Sequence, residues 1–125
     1  PMALSIADSS SFSYKIASET DLEADPKINI FGGGVSVYSI DVDNAANSGT
    51  AVYLKLYNSG ATVTAGTTKP DHQICVSGGG RVIAHYPAGI PFSSGVSMNC
   101  STTSGTAGDA TTDPSASVIV TLVAK

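Results

Sequence analysis

The chain has no tryptophan, two cysteines, two methionines and only 13% charged residues, against about 25% in an average domain. Each shortage excludes something. Without tryptophan, the strongest aromatic platform for stacking on sugars or bases is missing. Two cysteines with no CxxC spacing do not make a disulfide framework. His72 and His85 stand apart from any cysteine spacing that suggests zinc. The six basic residues, Lys15, Lys27, Lys55, Lys69, Arg81 and Lys125, are scattered, and the net charge is −4. No basic stripe exists, which argues against nucleic acid as a partner. No segment approaches the roughly 20 apolar residues of a membrane span, so no membrane partner is expected. The first residues lack the basic and apolar regions of a secretory signal, so synthesis in a cytosol is the expectation.

Catalytic signatures are missing too. Gly32-Gly33-Gly34 and Gly78-Gly79-Gly80 are followed by neither a Lys-Ser/Thr pair nor a GxGxxG spacing, so they predict tight turns and not phosphate cradles. There is no GxSxG elbow, and a Ser-His-Asp set drawn from so abundant a residue as serine has no weight. Glu19, Asp21, Glu23 and Asp25 alternate in ETDLEAD but lack the glycine and bidentate glutamate of an EF-hand loop. They predict a solvated loop, and Asp41 and Asp43 in DVDN, on one face of a strand, predict solvated side chains. The expectation is a protein that is not an enzyme, with no cofactor and no metal.

What is present is sheet. A chain of 125 residues is one domain by length, able to bury roughly two thirds of its unfolded surface. Serine and threonine outnumber all charged residues and supply the polar surface. A surface so poor in charge lets another protein dock with little desolvation cost.

Residues 1–11 show no pattern and predict an N-terminal arm, with 12–125 forming a single domain. Alternation of apolar and polar residues predicts strands at 12–16, 27–31, 35–43, 51–58, 72–76, 81–86, 95–100 and 116–125. A short strand at 62–64 is a further candidate. The phase change between Val35/Val37 and Tyr38/Ile40/Val42 predicts a β-bulge or burial on both faces. Pro87, Gly89 and Pro91 predict a break after 81–86. About eight strands at this spacing predict an all-β fold, an antiparallel β-sandwich of jelly-roll type.

Several residues are candidate contacts. In 51–58, Val52, Leu54 and Leu56 predict a core face, with Tyr53, Lys55 and Tyr57 on the opposite parity. Tyr53 and Tyr57 would lie about 13 Å apart, as sugar platforms or as cover for a sheet face or subunit interface. The last strand is apolar on both parities, so Ile119 and Val123 face either a second layer or another subunit. Leu4 and Ile6 of the arm are candidates to insert between neighbouring chains. Cys75 and Cys100 predict two separate, buried, reduced thiols. His72 and His85 flank Gly78–Gly80 and are candidates to meet across a hairpin.

The block YLKLYN…GTTKPDHQICVSGGGRV…YPAGIPFSSGVSMNCSTT resembles a segment of small virion proteins of tailed bacteriophages, including cyanophages. The matching residues are Lys55-Leu56-Tyr57-Asn58, Gly66 to Pro70, Ile74, Val76, Gly78-Gly79, Gly89-Ile90, Phe92 and Gly95. The resemblance covers about residues 51–123, and it brings no catalytic residues with it. It implies an accessory structural protein of the virion, foremost a capsid cement or decoration protein. Its expected partners are the major capsid protein and further copies of itself, a trimer by analogy. Because the motif recurs in head and tail components, a tail, neck or fibre component is the alternative. A carbohydrate-binding β-sandwich module is the alternative from a different class.

Overall fold

The computed structural model describes residues 4–9, 13–106 and 112–125, with the backbone alone for 7–9. There is no helix among them. The strands are β1 (Leu4–Ser9), β2 (Tyr14–Glu19), β3 (Val35–Asp43), β4 (Val52–Asn58), β5 (His72–Val76), β6 (Arg81–Phe92), β7 (Val96–Ser101) and β8 (Ile119–Ala124). They form an all-β sandwich of two antiparallel sheets. One has the order β1-β2-β8-β3-β6, the other β5-β4-β7.

The pairing is nested. Beside β7 runs the segment 23–30, joined by Lys27 N–H to Met98 O at 2.8 Å, Met98 N–H to Lys27 O at 3.0 Å and Ile30 N–H to Val96 O at 2.9 Å. With that segment counted as a fourth lane, β2 pairs with β8, 23–30 with β7, β3 with β6 and β4 with β5. First pairs with last and innermost with innermost, as in one long hairpin rolled over itself. This is jelly-roll connectivity.

The core follows from period-two alternation. Val52, Leu54 and Leu56 of β4, Val96, Met98 and Cys100 of β7 and Val76 of β5 face Ala17, Val37, Ile40, Val42, Val120, Leu122 and Ala124 of the larger sheet. A fully buried leucine or valine of this kind stabilises the fold by about 1.5–3 kcal/mol. The expected irregularity in β3 is a register shift between Val37 and Ser39. It keeps Val37, Ile40 and Val42 in the core and sends Tyr38 to the outer side, where its ring meets Tyr14 edge-on at 5.5 Å.

One end of the sandwich is tied by asparagines. Asn44 Nδ2 donates to Thr50 O and Ser77 O, at 3.0 and 3.1 Å. Asn47 Nδ2 donates to Asn44 Oδ1 and Ala116 O, and its Oδ1 accepts from Ala116 N–H at 2.8 Å. Both asparagines are buried, and each satisfies backbone groups of turns distant in sequence.

Four expectations change. Residues 4–9 of the arm are strand β1, paired with β2 from Leu4↔Glu19 to Ser9↔Tyr14, because Leu4 and Ile6 alternate with small polar neighbours. Phe12, expected to open the next strand, lies outside the described residues. The strand expected at 27–31 reduces to a single bridge and a few hydrogen bonds. Pro26 has no N–H to give, and Asn29 takes a left-handed φ of 49°. β6 does not stop at Tyr86 but runs on to Phe92 through two prolines. It is an edge strand, where a missing N–H on the solvent side costs no ladder bond. No strand forms at 62–64.

Candidate functional site

Among the described residues, the outer face of the five-stranded sheet presents exposed side chains in register. The register lays its residues in rows. Ile16 lies beside Val123, then Ser39, then His85; Ser18 beside Thr121, Asp41 and Ile83; Ile119 beside Asp43 and Arg81. Ile16, Ile83 and Ile119 are 40%, 54% and 41% exposed, and Val123 is half-buried between its neighbours. Four β-branched aliphatic side chains thus share a face with Ser, Thr, His, Tyr14, Tyr38 and a few charges. Ile16 and Val123 are direct neighbours, while Ile119 and Ile83 lie on the same face beyond Thr121 and Asp41; exposed apolar residues that share a face are candidates for a contact site.

The charges on this face are largely spent on each other. Arg81 Nε and Nη2 donate to the two oxygens of Asp41 at 3.0 and 2.7 Å. That bidentate bond and the nearby Asp43 hold the guanidinium above its ordinary pKa. At the opposite end, Lys125 Nζ sits 5.4 Å from the Tyr14 ring centre.

Ile119 and Val123 therefore stand where a second face was expected, on the outer side of a central strand. Ile16 and Ile83 join them. Both belong to strands with plain alternation, but only the register shows that they share a surface with β8. Leu4 and Ile6 lie elsewhere, on the inward parity of edge strand β1, opposite Glu19 and Ala17. Leu4 packs against the core, whereas Ile6 is 45% exposed because the smaller sheet does not reach under β1.

Tyr53 and Tyr57 do not form an exposed pair. Tyr57 is 2% exposed, and its hydroxyl donates to Asn99 Oδ1 at 3.0 Å. Burial pushes its phenol pKa up, more than the Asn99 bond pulls it down. Asn99 in turn donates to Ala24 O at 2.9 Å. Lys55, Ser97, Asn99 and Ser101 on the same outer side are buried as well. This layer is roofed by distant segments: Ser97 Oγ donates to Ser59 O at 2.7 Å, and Val63 is 7% exposed. Only Tyr53 remains half-exposed, and its cross-strand partner Cys75 raises its phenol pKa.

The thiols also separate. Both cysteines are free, but Cys75 is exposed and only Cys100 is buried. Cys75 lies on the outward parity of β5, an edge strand left open at that position among the described residues, so the expectation of two buried thiols is half corrected. Burial holds the Cys100 thiol up at about 12. His72 and His85 do not meet. The chain at Gly78–Gly80 crosses from one sheet to the other, so His85 points outward while His72 bonds Tyr86 Oη at 3.1 Å.

An open cleft of about 490 Å³ lies between Ala24–Pro26, Val63–Ala65 and Asp113. The Glu23 carboxyl, in the same acidic neighbourhood, is raised above its ordinary pKa by Asp113, then by burial and Asp21. Among the described residues, no group of three or more His, Cys, Asp or Glu is placed to hold a metal ion.

No protein family, curated protein or solved structure matches this chain.

Proposed function

We propose that the protein is a non-enzymatic accessory component of a phage virion, a cement protein that docks on the major capsid protein through the outer face of its five-stranded sheet. The observation that carries this is the placement of Ile16, Ile83, Ile119 and Val123 on one sheet face, with the three isoleucines exposed. The low charge of the chain and the phage-like segment over 51–123 support it. The action would be mechanical: each copy bridges neighbouring capsomers and buries apolar area on both. About 800 Å² per partner is the usual need for a stable contact. Repetition on a symmetric shell multiplies weak contacts through avidity, and a homo-oligomer, a trimer by analogy, would add to that.

The burial of Tyr57 removes the paired platform that a carbohydrate-binding module of this chain would have used. The remaining competitor is a tail, neck or fibre component. Virions lacking the protein decide between them. Under the cement function they assemble and adsorb at normal rates, but rupture at lower temperature or milder osmotic shock. Heads of unchanged robustness with failed adsorption would replace cement by a tail role.

A further inference from the structure

We propose that β1 is an exchangeable strand: at high local concentration β1 of one copy leaves its own β2 and pairs with β2 of a second copy. The inference does not depend on what assembly the protein joins. It rests on how β1 is held.

β1 lies at the end of the five-stranded sheet and has one strand neighbour, β2. The smaller sheet does not extend beneath it, so Ile6, though of inward parity, is 45% exposed. Of the described side chains of β1, Leu4 packs on the core and Ser5 and Ile6 are exposed. The ladder with β2 is the regular contact that holds β1, and an identical strand from another copy reproduces that ladder in full. The fit is already on display in the six paired positions from Leu4↔Glu19 to Ser9↔Tyr14.

Two features favour release. Ser13, in the connection between β1 and β2, has φ of +59°. That is left-handed backbone in a residue with a Cβ, a conformation a tight hairpin demands and an extended connection does not. Strained short hinges invite exchange of the strand they carry. Opposite Leu4, moreover, the Glu19 carboxylate is fully buried. Its Oε1 accepts from Asp21 N–H at 3.1 Å, but its Oε2 accepts no hydrogen bond and has Lys27 Nζ only at 3.9 Å. Lifting β1 lets water reach that oxygen, which offsets part of the cost of opening.

The other edges are less suited to accept a strand. β6 carries Pro87 and Pro91, and the outer edge of β7 is taken by 23–30. β5 has five residues between Pro70 and Gly78.

Ser5 and Ser18 are cross-strand partners at the surface. Across a β-ladder, Cα atoms lie close enough for a disulfide. Two single variants, Ser5→Cys and Ser18→Cys, are made in a Cys75→Ser background, so that buried Cys100 is the only other thiol. They are mixed at high concentration under native conditions and oxidised. Exchange predicts a disulfide-linked dimer of one chain of each kind, in excess of random pairing, with the 5–18 link shown by peptide mapping. Adding Ser13→Gly to both should cut its yield several-fold, because glycine relaxes the hairpin. A chain carrying both cysteines is the companion measurement. If it closes within itself at every concentration while the mixed variants link no better than randomly, β1 is private to its chain and the proposal fails. If the double variant does not close in either way, the β1–β2 pairing is itself absent, and the proposal fails with it.

Discussion

At the residue scale, stability rests on positions that alternation makes plain and on others it hides. Leu54 is fully buried in the middle of β4. Leu54→Ala should cost about 2–5 kcal/mol by chemical denaturation; a loss below about half a kcal/mol would mean that the other face of β4 is the core. Asn47 is less obvious, since NAANSG reads as an ordinary turn. Its side chain serves Ala116 N–H, Ala116 O and Asn44 Oδ1. Asn47→Ala should cost on the order of 1–3 kcal/mol for each partner left buried and unsatisfied. Cys100 gives a pH signature. Its folded pKa of about 12 lies above the ordinary value of 9.0. Stability from the neutral thiol is fully present below pH 9 and is lost as pH rises from there toward 12, by about 1.4 kcal/mol per unit. Cys100→Ala should flatten that alkaline slope. In native protein Cys75 should react with a thiol reagent at once and Cys100 only on unfolding. Reaction of both in native protein would contradict the burial of Cys100. The fate of Tyr57 and Lys55 was not legible in the sequence. Parity puts them on the outer side correctly, but what roofs that side is loop 59–63 and the 24–26 segment, contacts that no local pattern encodes.

At the element scale, eight strands are expected and eight are found among the described residues, yet they are not the same eight. β1 replaces the strand expected at 27–31. Alternation over only four to six residues, as in LSIADS, is too short to stand out from a tail. KINIF has the right residues for a strand, but Pro26 and Asn29 deny it a regular ladder, leaving a lane of the jelly roll that is occupied without being a strand. β6 shows the reverse: prolines that read as breakers are tolerated because they sit on an edge. Six of the expected strands, by contrast, appear near their expected bounds, since each combines alternation with flanking glycine, asparagine, proline, serine or threonine turns. Element stability should follow this order. β1, held by one neighbour, should exchange its amide protons well before β4 and β8, which are central in their sheets. Native-state hydrogen exchange checks it, and equal protection of β1 and β8 would contradict it.

At the scale of the whole molecule, the fold turns a low-charge sequence into one roofed face and one bare face. The smaller sheet hides the outer side of β4 and β7 beneath loops while β5 stays open; the larger sheet presents isoleucine to solvent. Neither the resemblance nor periodicity shows that Ile16 and Ile83 belong with Ile119 and Val123, because that grouping depends on which strands are neighbours. Ile83→Thr with Ile119→Thr should shift the denaturation midpoint only slightly, since both side chains are about half exposed and threonine keeps the β-branch that suits a strand. Occupancy on depleted virions should drop sharply. The most direct test of docking through this face is a side-chain footprint of the protein, free and bound to particles. Bound protein should show protection at Ile16, Ile83, Ile119 and Val123, with the roofed side around Val63 and Asp113 labelled as in the free protein. Unchanged labelling of the four aliphatic residues, with protection confined to the loops of the smaller sheet, would contradict it.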